Sequence, residues 1–547
     1  MVSLGGVELR RSATVLLLTA ALGAVADPYS TAEFTPGTTP TDVKLEGHLT
    51  IDASGLDVHE YNRVPFVTPI RGAIPRLEID LVQSGQDLLP ARRGLVTTSD
   101  PMFDYFVGPG RVWSDGERAR ASLPFTLATH DTNCAHNGLV TFVFTATSVD
   151  DVRVLVNQET CHFVKFDLWG SGKGTFTPGT IANAAEIRAQ FADERKHLIP
   201  SDSLDAFAAK YHADNAKLLG GLPTNHDLTT AGVYIGGVRY AKPCSTRNGD
   251  YPFCDHMLLT SFSTAKSAFP AVVLMALAQQ YGREVYEAKI ADYVPEAKTA
   301  KGDWANVTFN QVGDMASGNF SNGAPMADDA PGNFYFDLDR AGKLHEALSF
   351  PNGAKAGTRF VYQTGDTYIL VNALDRWLAV HDTGYTDSFA FLVDKVLKPL
   401  HVSPDAMWTR RTRDNGAVNS GTAFGGMGMW WTADALVKVA RFMSIANGAI
   451  DGKQVLEPHA LAATLQRDPA DRGMATNFFG NYYNNGMWAS PIGTLSCTPW
   501  VPFMTGLSGV RATLIPGDVI FYYFDDVQAF PLVEAVQEVD KIKPLCS

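Results

Sequence analysis

Ser263 and Lys266 stand three residues apart in the segment Leu258-Leu259-Thr260-Ser261-Phe262-Ser263-Thr264-Ala265-Lys266-Ser267-Ala268-Phe269-Pro270, and no other serine of the 547-residue chain has a lysine at that spacing. On a helix, positions i and i+3 share a face, which brings an amine within reach of a hydroxyl. A serine hydroxyl is a poor nucleophile until a neighbouring base takes its proton. Lysine fills that part when burial and nearby positive charge lower its pKa toward neutrality. The apolar residues that follow, Phe269 and Ala271-Val272-Val273-Leu274-Met275-Ala276-Leu277, predict a helix buried on most sides. A lysine buried there needs a reason, and activation of Ser263 for attack on an acyl carbonyl supplies one. Alone, the pair carries little weight, because a surface serine capping a helix beside a lysine has the same spacing.

Four further segments follow in order: Ile290-Ala291-Asp292-Tyr293-Val294-Pro295-Glu296, Val307-Thr308-Phe309-Asn310-Gln311-Val312-Gly313-Asp314-Met315-Ala316-Ser317-Gly318, Gly357-Thr358-Arg359-Phe360-Val361-Tyr362, and Gly425-Gly426-Met427-Gly428-Met429-Trp430-Trp431-Thr432-Ala433-Asp434-Ala435-Leu436. Together with S-x-x-K they make the chain from about Gly232 to its end resemble the serine β-lactamase and penicillin-binding-protein-like hydrolases. The likeness is to the branch around class C β-lactamases, which also holds D-aminopeptidases, DD-carboxypeptidases, esterases and nylon-oligomer hydrolases. Met315 stands where that family commonly has histidine.

The resemblance implies a fold of the α/β (α+β) class, a β-lactamase/transpeptidase-like domain with an antiparallel sheet flanked by helices; the patterning of the chain before it reads as a β-rich accessory domain. It implies Ser263, Lys266 and Tyr362 as the catalytic residues, with the backbone N–H groups of Ser263 and Leu507 as the oxyanion hole. The family's Tyr-x-Asn element reads Tyr362-Gln363-Thr364, so a hydroxyl replaces an amide fork. Its Lys-Thr-Gly strand reads Met504-Thr505-Gly506, and Thr364, Met504, Thr505 and Gly506 are the expected substrate-binding residues. Met504 lacks the cation that often binds a β-lactam carboxylate. Arg511 replaces it only if strand alternation turns it toward the site. These departures argue against an efficient β-lactamase or transpeptidase and toward an esterase or amidase with a less acidic substrate. A D-amino-acid-specific peptidase or penicillin-binding protein, and a non-catalytic binding module on a degenerate hydrolase fold, are the alternatives. Neither a metal nor an organic cofactor is required.

The elements that must position these groups come from two differently patterned regions. Residues 27–175 carry short β-rich runs such as Leu77-Glu78-Ile79-Asp80-Leu81-Val82 and Val140-Thr141-Phe142-Val143-Phe144-Thr145, broken by turn residues, as in a sandwich or small barrel. This region shows no catalytic constellation and is expected to be accessory. Residues 176–228 have helical spacing and read as a bridge, and 229–547 form the hydrolase-like domain, opening with a hairpin about Gly236-Gly237. Aromatic residues Trp430, Trp431, Tyr482, Tyr483 and Trp488 are candidates to line an acyl pocket, with core packing the plainer role for at least half of them.

Arg10 and Arg11 precede an apolar run ending in Ala24-Val25-Ala26, so residues 1–26 read as a signal peptide and the protein as secreted or periplasmic. Six cysteines suit that compartment. Of the fifteen connectivities open to six thiols, near-neighbour pairing (Cys134 with Cys161, Cys244 with Cys254, Cys497 with Cys546) is the simplest. A zinc set from His130, Cys134, His136, Cys161 and His162 has suitable donors but no standard spacing. The net charge of −13 and the lack of a Lys/Arg cluster exclude nucleic acid as an expected partner. No stretch qualifies for stable membrane insertion. The expected partner is a small-molecule or peptide-like ester or amide, and the sequence sets no oligomeric state.

Overall fold

Residues 29–64, 74–327 and 332–546 are described by a computed structural model. The signal-like segment 1–26 lies outside them. Alternating burial builds the first sheet. Along Leu77–Ser84 the residues alternate buried and exposed as far as Leu81, because successive side chains of a strand point to opposite faces. Eleven strands between Gly47 and Pro178 pair in one antiparallel sheet. Phe176, on the strand at one end of the strand order, shares a single apolar core with Phe166 and Leu168, next to the strand at the other end. One curled sheet, rather than two stacked ones, therefore encloses its own core.

The second sheet has nine strands and takes them from far-separated parts of the chain. Leu228–Ile235 and Val238–Ala241 form the hairpin, with Gly236 and Gly237 at φ +59° and +88° in its turn. Leu228–Ile235 then pairs with Val519–Asp525, and Val510–Ile515 and Trp500–Gly506 follow outward. Met504, Ala512 and Tyr522 face the helices Pro270–Tyr281, Thr364–Val380 and Ala433–Ser444. Phe503, Phe521 and Tyr523 face Leu204–Tyr211 and Val533–Ile542 on the other side. Among the described residues no helix is long and apolar enough to cross a membrane.

Charge locks the two sheets together. Arg410, fully buried, donates to Asp104 of the first sheet and to the Ala128 carbonyl at 2.6 Å. Arg247 forks onto Glu159 at 2.6 and 2.7 Å and reaches Asp167 at 2.5 Å. Arg93 joins Asp405 at 2.9 Å and Glu194 of the connecting helix Ala184–Lys196 at 3.0 Å. The disulfides join Cys134 to Cys161, Cys244 to Cys254 and Cys497 to Cys546. Cys134 and Cys161 are thereby removed from the zinc set, and burial pushes the His136 imidazole down to about 4.

Removing one member of a buried ion pair strands the other in a dry interior. Arg410→Ala is therefore expected to destabilise the protein by about 3–5 kcal/mol, read as a lowered urea midpoint. An unchanged midpoint would show that Asp104 finds another partner.

Candidate functional site

Ser263 sits where a short strand turns into a helix. Leu259–Thr260 pairs with Trp430–Trp431, the chain reverses at Phe262 (φ +39°), and the helix Thr264–Ala268 starts immediately after Ser263. Positive φ is uncommon for a bulky residue and is held by its surroundings. Here the holder comes from the first sheet's domain. Asn133, fully buried, accepts through Oδ1 from Phe262 N at 3.0 Å, Gly428 N at 2.9 Å and Ser261 Oγ at 3.2 Å, and donates to the Met429 carbonyl at 3.3 Å. One side-chain amide thus pins the serine turn against the segment carrying Gly426.

Lys266 is 1% exposed, and its Nζ lies 2.9 Å from Ser263 Oγ, 3.1 Å from Thr364 Oγ1 and 3.1 Å from the Gly426 carbonyl. Thr364 opens the helix Thr364–Val380, so the position where the resembled family has asparagine contributes its hydroxyl to the lysine. Gly426 leaves room for this cluster, since a Cβ there would stand 2.7 Å from Thr367 Oγ1, 2.8 Å from Thr364 Cγ2 and 3.3 Å from Lys266 Nζ. Tyr362 presents its ring 4.8 Å from Lys266 Nζ. Phe360, Tyr483 and Trp488 box that ring at centroid distances of 6.4, 6.1 and 5.6 Å. Met315 holds the segment of Tyr362 in place, accepting Val361 N–H at its carbonyl at 2.9 Å and Gln363 N–H at its sulfur at 3.4 Å.

The strand Trp500–Gly506 borders Ser263 directly. A Cβ on Gly506 would stand 2.7 Å from the Ser261 carbonyl and 3.0 Å from Ser263 N, so only glycine allows this approach. Thr505, Gly506 and Leu507 line the same cleft as Ser263, Tyr362 and Thr364. Met504 does not: strand alternation turns it to the helical side, where it is fully buried. Arg511, paired with Thr505 across the strands, offers no cation either. It is 6% exposed, donates to the Phe530 and Pro531 carbonyls at 3.3 and 3.2 Å, and stacks on Phe503. Of the five aromatic candidates, Trp488 lines the cleft, while Trp430, Trp431 and Tyr483 are buried in the core and Tyr482 packs on Trp500.

The cleft has a volume of about 870 Å³, and Met102, Thr132, Phe163 and Val164 of the first sheet's domain form part of its wall. The sequence pattern does not reveal this contribution, nor that of Asn133, because neither lies in a recognisable motif. Gly426 falls within a segment that the family likeness already marks.

No protein-family model and no curated protein matches the chain. Among solved structures, the chain is similar to a class C β-lactamase (15% identity, 68% of this chain and 99% of that one, TM-score 0.40). It is similar to a family VIII carboxylesterase (16%, 64% and 97%, TM-score 0.41). A penicillin-binding protein from Bacillus halodurans is a third (13%, 58% and 97%, TM-score 0.40).

Two outcomes test this packing. Asn133→Ala strands the Gly428 N–H, whereas Phe262 N–H keeps a longer bond to Thr260 Oγ1 at 3.3 Å. The expected loss is about 1–3 kcal/mol of stability, measured by urea unfolding. Burial pushes the Asp366 carboxyl, two residues beyond Thr364, up to about 7, with a Ser317 hydrogen bond opposing it. A carboxyl whose folded pKa is raised contributes stability that is full below about pH 4 and is lost as the pH climbs through about 7. The urea midpoint should therefore fall between pH 5 and pH 8, and Asp366→Asn should flatten that fall.

Proposed function

We propose that the protein is an exported serine hydrolase that cleaves an ester or amide bond through an acyl-enzyme on Ser263. The observation that carries this reading is the convergence, at one open cleft, of Ser263 Oγ, Lys266 Nζ and Thr364 Oγ1, with the ring of Tyr362 beside the amine.

A neutral amine has two N–H donors and one lone pair. To act as the base, Lys266 would keep the Gly426 carbonyl and Thr364 Oγ1 as acceptors and turn its lone pair to the Ser263 hydroxyl. In this proposal Ser263 Oγ attacks the acyl carbon while its proton passes to Lys266 Nζ. Tyr362 then relays a proton to the departing alcohol or amine as the old acyl bond breaks. The backbone N–H groups of Ser263 and Leu507, on segments that Gly506 brings together, receive the oxyanion. Water attacks the acyl-enzyme by the reverse proton path, releasing the acid and restoring the serine. Thr505 and Gly506 offer a strand edge along which the substrate lies.

The esterase or amidase branch is favoured over a β-lactam-directed or D-peptidase one by the absence of a lysine or arginine among the described lining residues. The three disulfides fit export to an oxidising compartment.

A fluorophosphonate probe should label the wild type and fail on Ser263→Ala. Hydrolysis of 4-nitrophenyl esters should drop by about 10³-fold or more in Ser263→Ala and Lys266→Met. Labelling that persists without Ser263 would refute the assignment, and labelling by penicillin would favour the peptidase branch.

A further inference from the structure

We infer that the cleft takes an uncharged ester whose acyl group is large and apolar, and that the first sheet's domain is part of the substrate site because it supplies one wall for that group. This rests on the hydrolase reading and adds a substrate class to it.

Large apolar side chains ring the cleft and remain in water. Phe163 is 44% exposed, Met326 44%, Phe336 63% and Phe530 43%, and all four line the cavity that holds Ser263. They come from separate stretches of chain, so the fold has gathered exposed apolar surface at a concave site. Such surface is costly to leave in water and marks a place where an apolar ligand removes it. Phe262, Met427 and Trp488 continue the apolar lining inward past Ser263.

Charge points the same way. The charge-bearing side chains among the described lining residues are Asp131 and His130, and His130 Nε2 is engaged with Asp104 at 3.1 Å. An anionic acyl group entering there meets a carboxylate, and the lining residues offer it no lysine or arginine; the one amine close by, Lys266, is already bonded to Ser263, Thr364 and Gly426. The two positions able to offer a cation beside the Thr505 strand are lost, Met504 by type and burial, Arg511 by its bonds to the Phe530 and Pro531 carbonyls.

The wall is fixed relative to the nucleophile. Cys134 follows Asn133, the residue that holds the Ser263 turn, and its disulfide ends on Cys161, two residues before Phe163. Val164 N donates to Cys161 Sγ at 3.1 Å, and Gln528 Nε2 reaches the His162 ring at 3.1 Å, tying Phe163 to the segment that carries Phe530. The apolar bank and the serine therefore stand in constant register, as a site that measures acyl length requires.

The test uses the full-length Ser263→Ala protein, which binds esters without turning them over. It is titrated with 4-nitrophenyl acetate, hexanoate and decanoate, and with a chain of decanoate length ending in a carboxylate. Each methylene buried should tighten binding by about fourfold, until the chain outgrows the wall. We expect decanoate to bind at least about 30-fold tighter than acetate, and the carboxylate-ended chain at least about 10-fold weaker than decanoate. Phe163→Ser and Phe336→Ser, both at exposed positions, should each erase most of the chain-length dependence. Equal affinities along the series, or a dependence untouched by both variants, would overturn the inference. Chain-length-dependent binding in a protein whose wild type escapes fluorophosphonate would refute the hydrolase reading and keep the wall. Labelling with flat chain-length dependence would do the reverse.

Discussion

A buried lysine can stay in an apolar interior only if its N–H groups meet partners, and that requirement organises this protein. Lys266 finds them in Ser263, Thr364 and Gly426, three positions from segments about a hundred and sixty residues apart at their extremes. Each segment must arrive with its backbone in one conformation: the turn at Phe262, the start of the helix Thr364–Val380, and the close pass at Gly426. Leaving such a donor unmet costs more than an ordinary hydrogen bond contributes, so the three segments are held as a unit.

The same logic extends outward to the join between the sheets. Asn133 takes three donors from the segments around Ser263 and gives one back to Met429. Around it, Arg410, Arg247 and Arg93 carry buried charge across the boundary, each matched by carboxylates. Matched pairs of this kind contribute little net stability, since desolvation offsets their attraction. They do penalise every arrangement in which a partner is missing, which keeps the first sheet's domain in one place against the serine turn. The region of the first sheet thereby contributes to both the support and the wall of the cleft.

Several of these features were legible in sequence. The lone S-x-x-K spacing placed a hydroxyl and an amine on one helical turn, and the apolar run behind it announced a buried helix, which Pro270–Tyr281 forms. Gly236-Gly237 marked a hairpin of the second sheet. Aromatic roles were less legible, because an aromatic residue satisfies a core or a cleft equally well. Trp430 and Trp488 look alike in sequence, yet the first is fully buried and the second faces the cavity. Met504 was placed at the site by its motif, whereas its strand register turns it inward.

The sequence by itself determined the local chemistry: which residues can donate, accept or attack within one turn, and which runs must be buried, because these follow from residue type and a period of 3.6 or 2. The tertiary structure decided what meets across distance. That Asn133 would brace Ser263, that Thr364 and Gly426 would share Lys266, and that Phe163 would face Phe530 depends on how two sheets dock. Docking is fixed by the sum of many buried contacts between segments whose own patterns carry no record of their partners.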